Sequence, residues 1–383
     1  MRGYKRTGGK LLLAMGAVLL LTGCGGNRVE QYGSVDTAMG TVVSQTLYVR
    51  GDREEAETET AAVMELLTRL EEQELSWRIE GSEVARINAL SEEVAGERRT
   101  RGQEGAVEDS MVVSVSSSMQ QILQQIWQVS ADSRGALDVT LGRLSRLWNL
   151  DAVAMGAAEI SVPTQEQIRM ALEDTGYERV RISQGTQELP SGTQELSPGT
   201  QELSQGTLEL PPGMQLDLGA VGKGVACDRI GAYLRSRPQV AGAVVAVGGS
   251  VMTYGQKPDG SPWKVAITHP RKEGSYLGIL SLTGEHYVST SGDYERYVMV
   301  DGVRYHHILD PSTGAPARSD LCSVTVVCDS GLLADALSTA CFVLGSQQGL
   351  ALVERYGAQA LLVEEDGTVH MTDGMEEMYM AAE

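Results

Sequence analysis

Asp301-Gly302, set between two alternating apolar runs, constrains this chain more tightly than any other feature. An Asp-Gly pair favours the two-residue turn of a β-hairpin, because both central residues must adopt positive φ. The expected strands are Arg296 to Val300 and Val303 to Leu309. One end of the hairpin carries a turn at Thr290-Ser291-Gly292-Asp293, and the other carries His307-Ile308-Leu309-Asp310-Pro311. Between Val288 and Pro316 the chain concentrates Ser289, Thr290, Ser291, Asp293, Tyr294, Arg296, His306, His307, Asp310, Ser312 and Thr313. Three of the five histidines (His286, His306 and His307) lie in or beside this stretch. Successive side chains of a strand point to opposite faces, so only one of His306 and His307 points inward. A polar surface hairpin of a β-rich domain would carry the same residues.

At 383 residues the chain is long enough for one large domain or two smaller ones. A hydrophobic fraction of 42% and a charged fraction of 21% suit a packed globular protein. The net charge of −20 argues against a nucleic-acid partner, which needs a basic face. The first residues read as a targeting segment. Arg2, Lys5, Arg6 and Lys10 precede a short apolar run, Leu11 to Leu21, which is too short for a membrane span. Leu21-Thr22-Gly23-Cys24 then resembles the lipobox of bacterial lipoproteins. In that reading residues 1–24 are removed up to Cys24, which carries lipid and holds the protein at an extracytoplasmic membrane face. An ordinary signal peptide with an incidental cysteine is the alternative. Cys227, Cys322, Cys328 and Cys341 show no CxxC spacing and are expected to be buried free thiols.

Residues 25–34 read as a tether, and residues 35–383 as one domain. Met39-Gly40-Thr41 leads into a strand, Val42 to Val49. A helix follows from Asp52 to Leu75, with Ala62, Leu66 and Leu70 at spacing four. A short helix opens at Ser82, and residues 91–110 read as charged and irregular. Further helices are expected at Met119 to Val129, after Pro163-Thr164, at Val225 to Leu234 and at Gly331 to Leu344. From Gly185 four heptapeptides repeat: GTQELPS, GTQELSP, GTQELSQ and GTLELPP. With Gly in each, Pro in three and little apolar content, residues 185–213 read as an inserted loop between strands Arg179–Ile182 and Met214–Leu218. Strands and helices come in mixed order, so the expected class is α+β.

Three places suit chemistry. Asp217-Leu218-Gly219-Ala220-Val221-Gly222-Lys223-Gly224 is a strand, a glycine turn and a helix start, where anions are favoured; a purely structural turn fits equally. Asp335 and Thr339 lie four apart on one helix and share a face. Their hard oxygens suit Mg²⁺, though Asp335 could equally be a solvated helix residue. His307 suits proton transfer beside a phosphate, although strand histidines are more often structural.

Taken in order, these motifs resemble the bacterial FAD:protein FMN transferases, the ApbE-like lipoprotein family. The match runs over residues 35–375 outside the repeats. It is carried by Met39-Gly40-Thr41, Gly135-Ala136-Leu137-Asp138-Val139-Thr140 with Trp148, Leu216 to Gly224, Gly248-Gly249, Pro258-Asp259-Gly260 with Trp263, Thr290 to Tyr294, His307 to Gly314, and Ala334 to Thr339. The resemblance implies a T-fold-like α+β core that binds FAD and Mg²⁺. It implies cleavage of the FAD pyrophosphate, attachment of FMN to a Thr or Ser of an acceptor protein, and release of AMP. The acceptor class implied is a redox-pump subunit or an extracytoplasmic flavoprotein. By the same resemblance the flavin nucleotide falls to Met39, Trp77, Ala136, Leu137, Asp138, Asp217, Lys223 and Ile308. Mg²⁺ falls to Asp335, Thr339 and the backbone oxygen of Ala220, and catalysis to His307 and Asp335, with Asp310 a further candidate base. Leu137 replaces a frequent Phe, Ser312 a frequent basic residue, and Arg143 a usual Pro. Rival readings are an FAD pyrophosphatase, a lipid-anchored flavin-binding protein without activity, and a structural lipoprotein.

Overall fold

The computed structural model describes residues 29–101, 110–154, 156, 158–159, 161–184 and 206–382. Cys24 and the first three heptapeptides lie outside the described residues. The class is α+β, as the order of elements implied. An eight-stranded antiparallel sheet runs Val29–Ala38, Thr41–Arg50, Val240–Val247, Ser250–Gly255, His286–Gly292, Leu321–Cys328, Gln359–Glu364 and Val369–Met371. Val240–Val247, Leu321–Cys328 and Gln359–Glu364 read as largely apolar runs because both faces are covered. Helices Gly222–Arg235 and Gly331–Leu344 cover one face, burying Val324, Val326 and Leu362. A three-stranded sheet, Tyr379–Ala381, Tyr276–Leu282 and Trp263–Thr268, covers the other, burying Val288, Val327, Leu361 and Val363 beneath Trp263, Val265 and Ile267.

The two helices meet at glycine. A Cβ on Gly224 would fall 2.0 Å from the Gly331 carbonyl oxygen, and one on Gly331 would fall 2.3 Å from that of Gly224. Only hydrogen fits at this crossing. Asp228, on the first helix, caps the second: its carboxylate accepts from the Gly331 and Leu332 amides at 2.7 and 2.9 Å. The crossing and the cap together fix Asp335 one turn further along.

The Asp301-Gly302 turn forms as the sequence implies. Asp301 has φ 49° and Gly302 has φ 82°, joining Tyr297–Val300 to Val303–His306. Helix Gly331–Leu344 has the expected bounds. Other stretches differ. The chain is already paired from Val29, so a strand occupies most of the expected tether. The helix opened by Ser82 runs from Glu83 to Thr100 rather than stopping near residue 90. Thr290-Ser291-Gly292 lies on a central strand, not in a turn. The strand returning from the repeats is the fourth heptapeptide itself, Gly206–Leu210, not Met214–Leu218. Its third position is Leu208 where the other copies have Gln187, Gln194 and Gln201. That single change supplies an alternating apolar pair, Leu208 and Leu210, both fully buried. Gln184 pairs with Gly206, so the connection between the two strands is three heptapeptides long. Of the four cysteines, Cys227, Cys322 and Cys341 are buried; Cys328 is half-buried, and all four are free thiols.

His306 is the buried member of the histidine pair, 5% exposed, with its ring edge-on to Phe342. Its Nε2 donates to the Ala317 carbonyl at 2.9 Å, while Nδ1 is buried without a partner. Burial lowers its pKa from 6.5, and the Ala317 bond opposes this only in part. The folded state therefore resists a proton that the unfolded chain accepts. Nothing is lost above pH 6.5; below it, stability should fall by up to about 1.4 kcal/mol per pH unit. Denaturant unfolding at pH 7 and pH 5.5 checks this, and His306→Gln should flatten the slope.

Candidate active site

The cleft is assembled on backbone held from behind. Asn88 sits inside helix Glu83–Thr100 and is 1% exposed. Its Nδ2 donates to the Leu216 carbonyl at 2.8 Å, and its Oδ1 accepts the Leu216 amide at 2.7 Å. Leu216 is thereby clamped, and the neighbouring Asp217 amide donates to the Val139 carbonyl at 2.8 Å. These bonds lay the Asp217 segment beside Ala136 to Leu141. The Asp217 carboxylate accepts the Gly219 amide at 2.8 Å, closing the turn into helix Gly222–Arg235. Asp138 accepts the Thr140 amide and hydroxyl, both at 2.7 Å, and the Tyr177 amide at 3.0 Å. Burial pushes its carboxyl up, and those bonds pull it back.

Asp335 is 2% exposed. Its Oδ1 accepts from the hydroxyls of Ser250, at 2.6 Å, and Ser289; its Oδ2 accepts the Gly224 amide at 2.5 Å. A carboxylate offers about four lone-pair positions. Oδ1 accepts two of these bonds and Oδ2 one, which leaves acceptor capacity on Oδ2, and Asp335 lines a cleft together with Thr339 and Ala220. Carboxylate, hydroxyl and carbonyl oxygens are a hard donor set that fits Mg²⁺ completed by substrate phosphate and water. Ser291 holds the Thr339 hydroxyl at 3.3 Å and Ser338 at 2.8 Å.

On the opposite wall, His307 approaches the Arg296 carbonyl through Nδ1 at 3.3 Å. Donation from Nδ1 leaves the imidazole lone pair on Nε2. The loop that follows is pinned by Trp148, whose Nε1 donates to the Gly314 carbonyl at 2.7 Å. In that loop the Asp310 Oδ1 accepts the Ser312 amide and hydroxyl at 2.8 and 2.7 Å, between Leu309 and Pro311 of the cleft wall.

Of the site residues expected from sequence, Ala136, Leu137, Asp138, Asp217, Ala220, Lys223, His307, Ile308, Asp335 and Thr339 line one cleft. Two stand beside it. Met39 donates its amide to Glu71 at 2.6 Å, and its methyl would lie 3.8 Å from a Cβ on Gly222. Trp77 stacks under Arg78 at 4.1 Å and Arg146 at 5.2 Å, with its Nε1 buried and unpaired. Ser289 and Arg296, noted in the polar stretch but given no role there, also line the cleft, as do Arg78 and Glu295, which the sequence did not single out. Glu295 is an exposed residue of the cleft wall; desolvation by neighbouring protein raises its carboxyl, Lys223 and Arg296 oppose the rise, and Asp335 adds to it.

The family model for the ApbE family matches residues 39–362. The chain belongs to the ApbE family. A FAD:protein FMN transferase of Treponema pallidum is 33% identical over 364 residues, covering 92% of this chain and 90% of that protein. One of Escherichia coli is 32% identical over 255 residues, 66% of each. Among solved structures, the ApbE protein of Thermotoga maritima superposes with a TM-score of 0.71 at 29% identity, covering 91% of this chain and 99% of the other. The flavinyl transferase ApbE of Pseudomonas stutzeri, in its apo form, gives 0.70 at 30% identity, covering 93% and 98%. Against the ApbE pattern, Leu137 is buried in the cleft wall, 1% exposed. Arg143 leaves helix Gly142–Trp148 intact and pairs with Asp174 and, at 3.3 Å, with Glu92.

Proposed function

We propose that this ApbE-family chain is an enzyme that transfers FMN from FAD to a Thr or Ser hydroxyl of an acceptor protein and releases AMP, from a lipid-anchored position outside the cytoplasm. The observation that carries the reading is the meeting of a carboxylate–hydroxyl–carbonyl set, a lysine and a histidine around one cleft. The acceptor oxygen bonds to the phosphorus of the FMN half. The bond from that phosphorus to the bridging oxygen breaks, and AMP leaves with the electron pair. The hydroxyl proton passes to a base, for which the lone pair on His307 Nε2 is suited. The Lys223 ammonium, on the cleft wall, would offset charge on the pyrophosphate. Asp335, Thr339 and the Ala220 carbonyl would hold Mg²⁺, which supplies charge neutralisation at the phosphoryl oxygens. Anchoring through Cys24 rests on the leader sequence alone. The test is AMP release from FAD with magnesium, with and without a Thr-bearing acceptor, alongside the acceptor's mass. Gain of one FMN supports transfer. Free FMN at the same rate in both would make the chain a pyrophosphatase, and retained FAD without AMP a flavin carrier.

A further inference from the structure

A second cavity opens beside the first. The two share a wall made of Lys223, Thr290, Glu295 and Arg296. The far side of the second cavity is Val265, Ala266, Ile267 and Thr268, four consecutive residues of one strand. Side chains of a strand alternate between faces, so a space that touches four in a row runs along its backbone edge. That strand lies at the end of its sheet, and Tyr276–Leu282 is its one paired neighbour among the described residues. Val265 and Ile267 are buried, while the small side chains of Ala266 and Thr268 are exposed. An unpaired edge beside small side chains accepts a further strand.

We infer that the second cavity seats the acceptor protein, as an extended segment paired along the Trp263–Thr268 edge with its hydroxyl directed through the shared wall. This rests on the transferase reading given above. Two substrates must meet at one phosphorus, and the two cavities meet at Lys223 and Glu295. Main-chain pairing supplies affinity, alternate side chains of the segment supply specificity, and the hydroxyl would reach the reacting phosphorus past Lys223 and Glu295. Gly248-Gly249 also line this cavity, and a Cβ on Gly249 would fall 2.8 Å from the Glu295 carboxylate, so the glycine is what lets Glu295 stand in the shared wall.

The test uses the whole chain, FAD, magnesium and a mixture of short synthetic peptides, each with one central Thr among small residues. Ala266→Trp fills the cavity from an exposed position. It should cut peptide labelling about tenfold or more, while the FAD-induced thermal shift and AMP release without peptide stay unchanged. Peptides N-methylated at alternate residues along one edge should lose labelling by the unaltered chain. Unchanged labelling by Ala266→Trp overturns the assignment. Weakened FAD binding in that variant also overturns it, by giving the cavity to the dinucleotide. Equal labelling of the N-methylated peptides overturns strand pairing. An unaltered chain that binds FAD but yields neither AMP nor labelled peptide overturns the transferase reading, and this one with it.

Discussion

Asp335→Asn should lower FMN transfer by about a thousandfold, which corresponds to roughly 4 kcal/mol of transition-state stabilisation. The variant removes charge and little else. Asn retains an oxygen that accepts a hydrogen bond, and the hydroxyls of Ser250 and Ser289 can turn to accept from its amide. The crossing at Gly224 and Gly331 and the Asp228 cap stay in place. The melting temperature should therefore move by only a few degrees, while the stabilisation that Mg²⁺ gives the folded protein disappears. Thr339→Ala should show a smaller loss in the same direction. Full activity in Asp335→Asn would remove the metal from the account. Thermal shift with and without magnesium separates that result from misfolding.

Asn88→Ala should be strongly destabilising although the residue does not line the cleft. It leaves the amide and the carbonyl of Leu216 buried without partners. At about 1–3 kcal/mol for each orphaned group, the loss is about 2–6 kcal/mol. The effect should also reach the ligand, because Asp217 is the next residue and is placed by the clamp. FAD affinity should fall in Asn88→Ala even under conditions where the variant is folded. Denaturant unfolding measures the first effect, and flavin fluorescence titration of the folded fraction measures the second. Wild-type stability would show that water replaces the clamp.

These two residues differ in how far the sequence reveals them. Asp335 and Thr339 are legible because helix periodicity places residues four apart on one face, and local geometry is what sequence encodes most directly. The Asp301-Gly302 hairpin and the split between His306 and His307 are legible for the same reason. Asn88 offers only a faint signal, a polar amide inside the run Ile87 to Leu90, where a helix interior disfavours it. Its partner is 128 residues away. The second cavity was invisible because its walls come from distant segments whose approach is set by sheet pairing. The fourth heptapeptide shows the opposite error: a repetitive composition concealed a core strand that a single Gln-to-Leu difference had created. Glu295 sits beside residues that drew notice, but nothing in its local pattern tells that it stands between two cavities.

The central claim is that one cleft breaks the FAD pyrophosphate and hands the flavin half to a protein hydroxyl. The measurement that addresses it most directly counts AMP and acceptor-bound FMN in a single reaction with FAD, magnesium and a Thr-bearing acceptor. The account predicts one FMN phosphodiester formed for each AMP released, with both lost together in Asp335→Asn. AMP accompanied only by free FMN, or FAD held intact with no AMP, would contradict it.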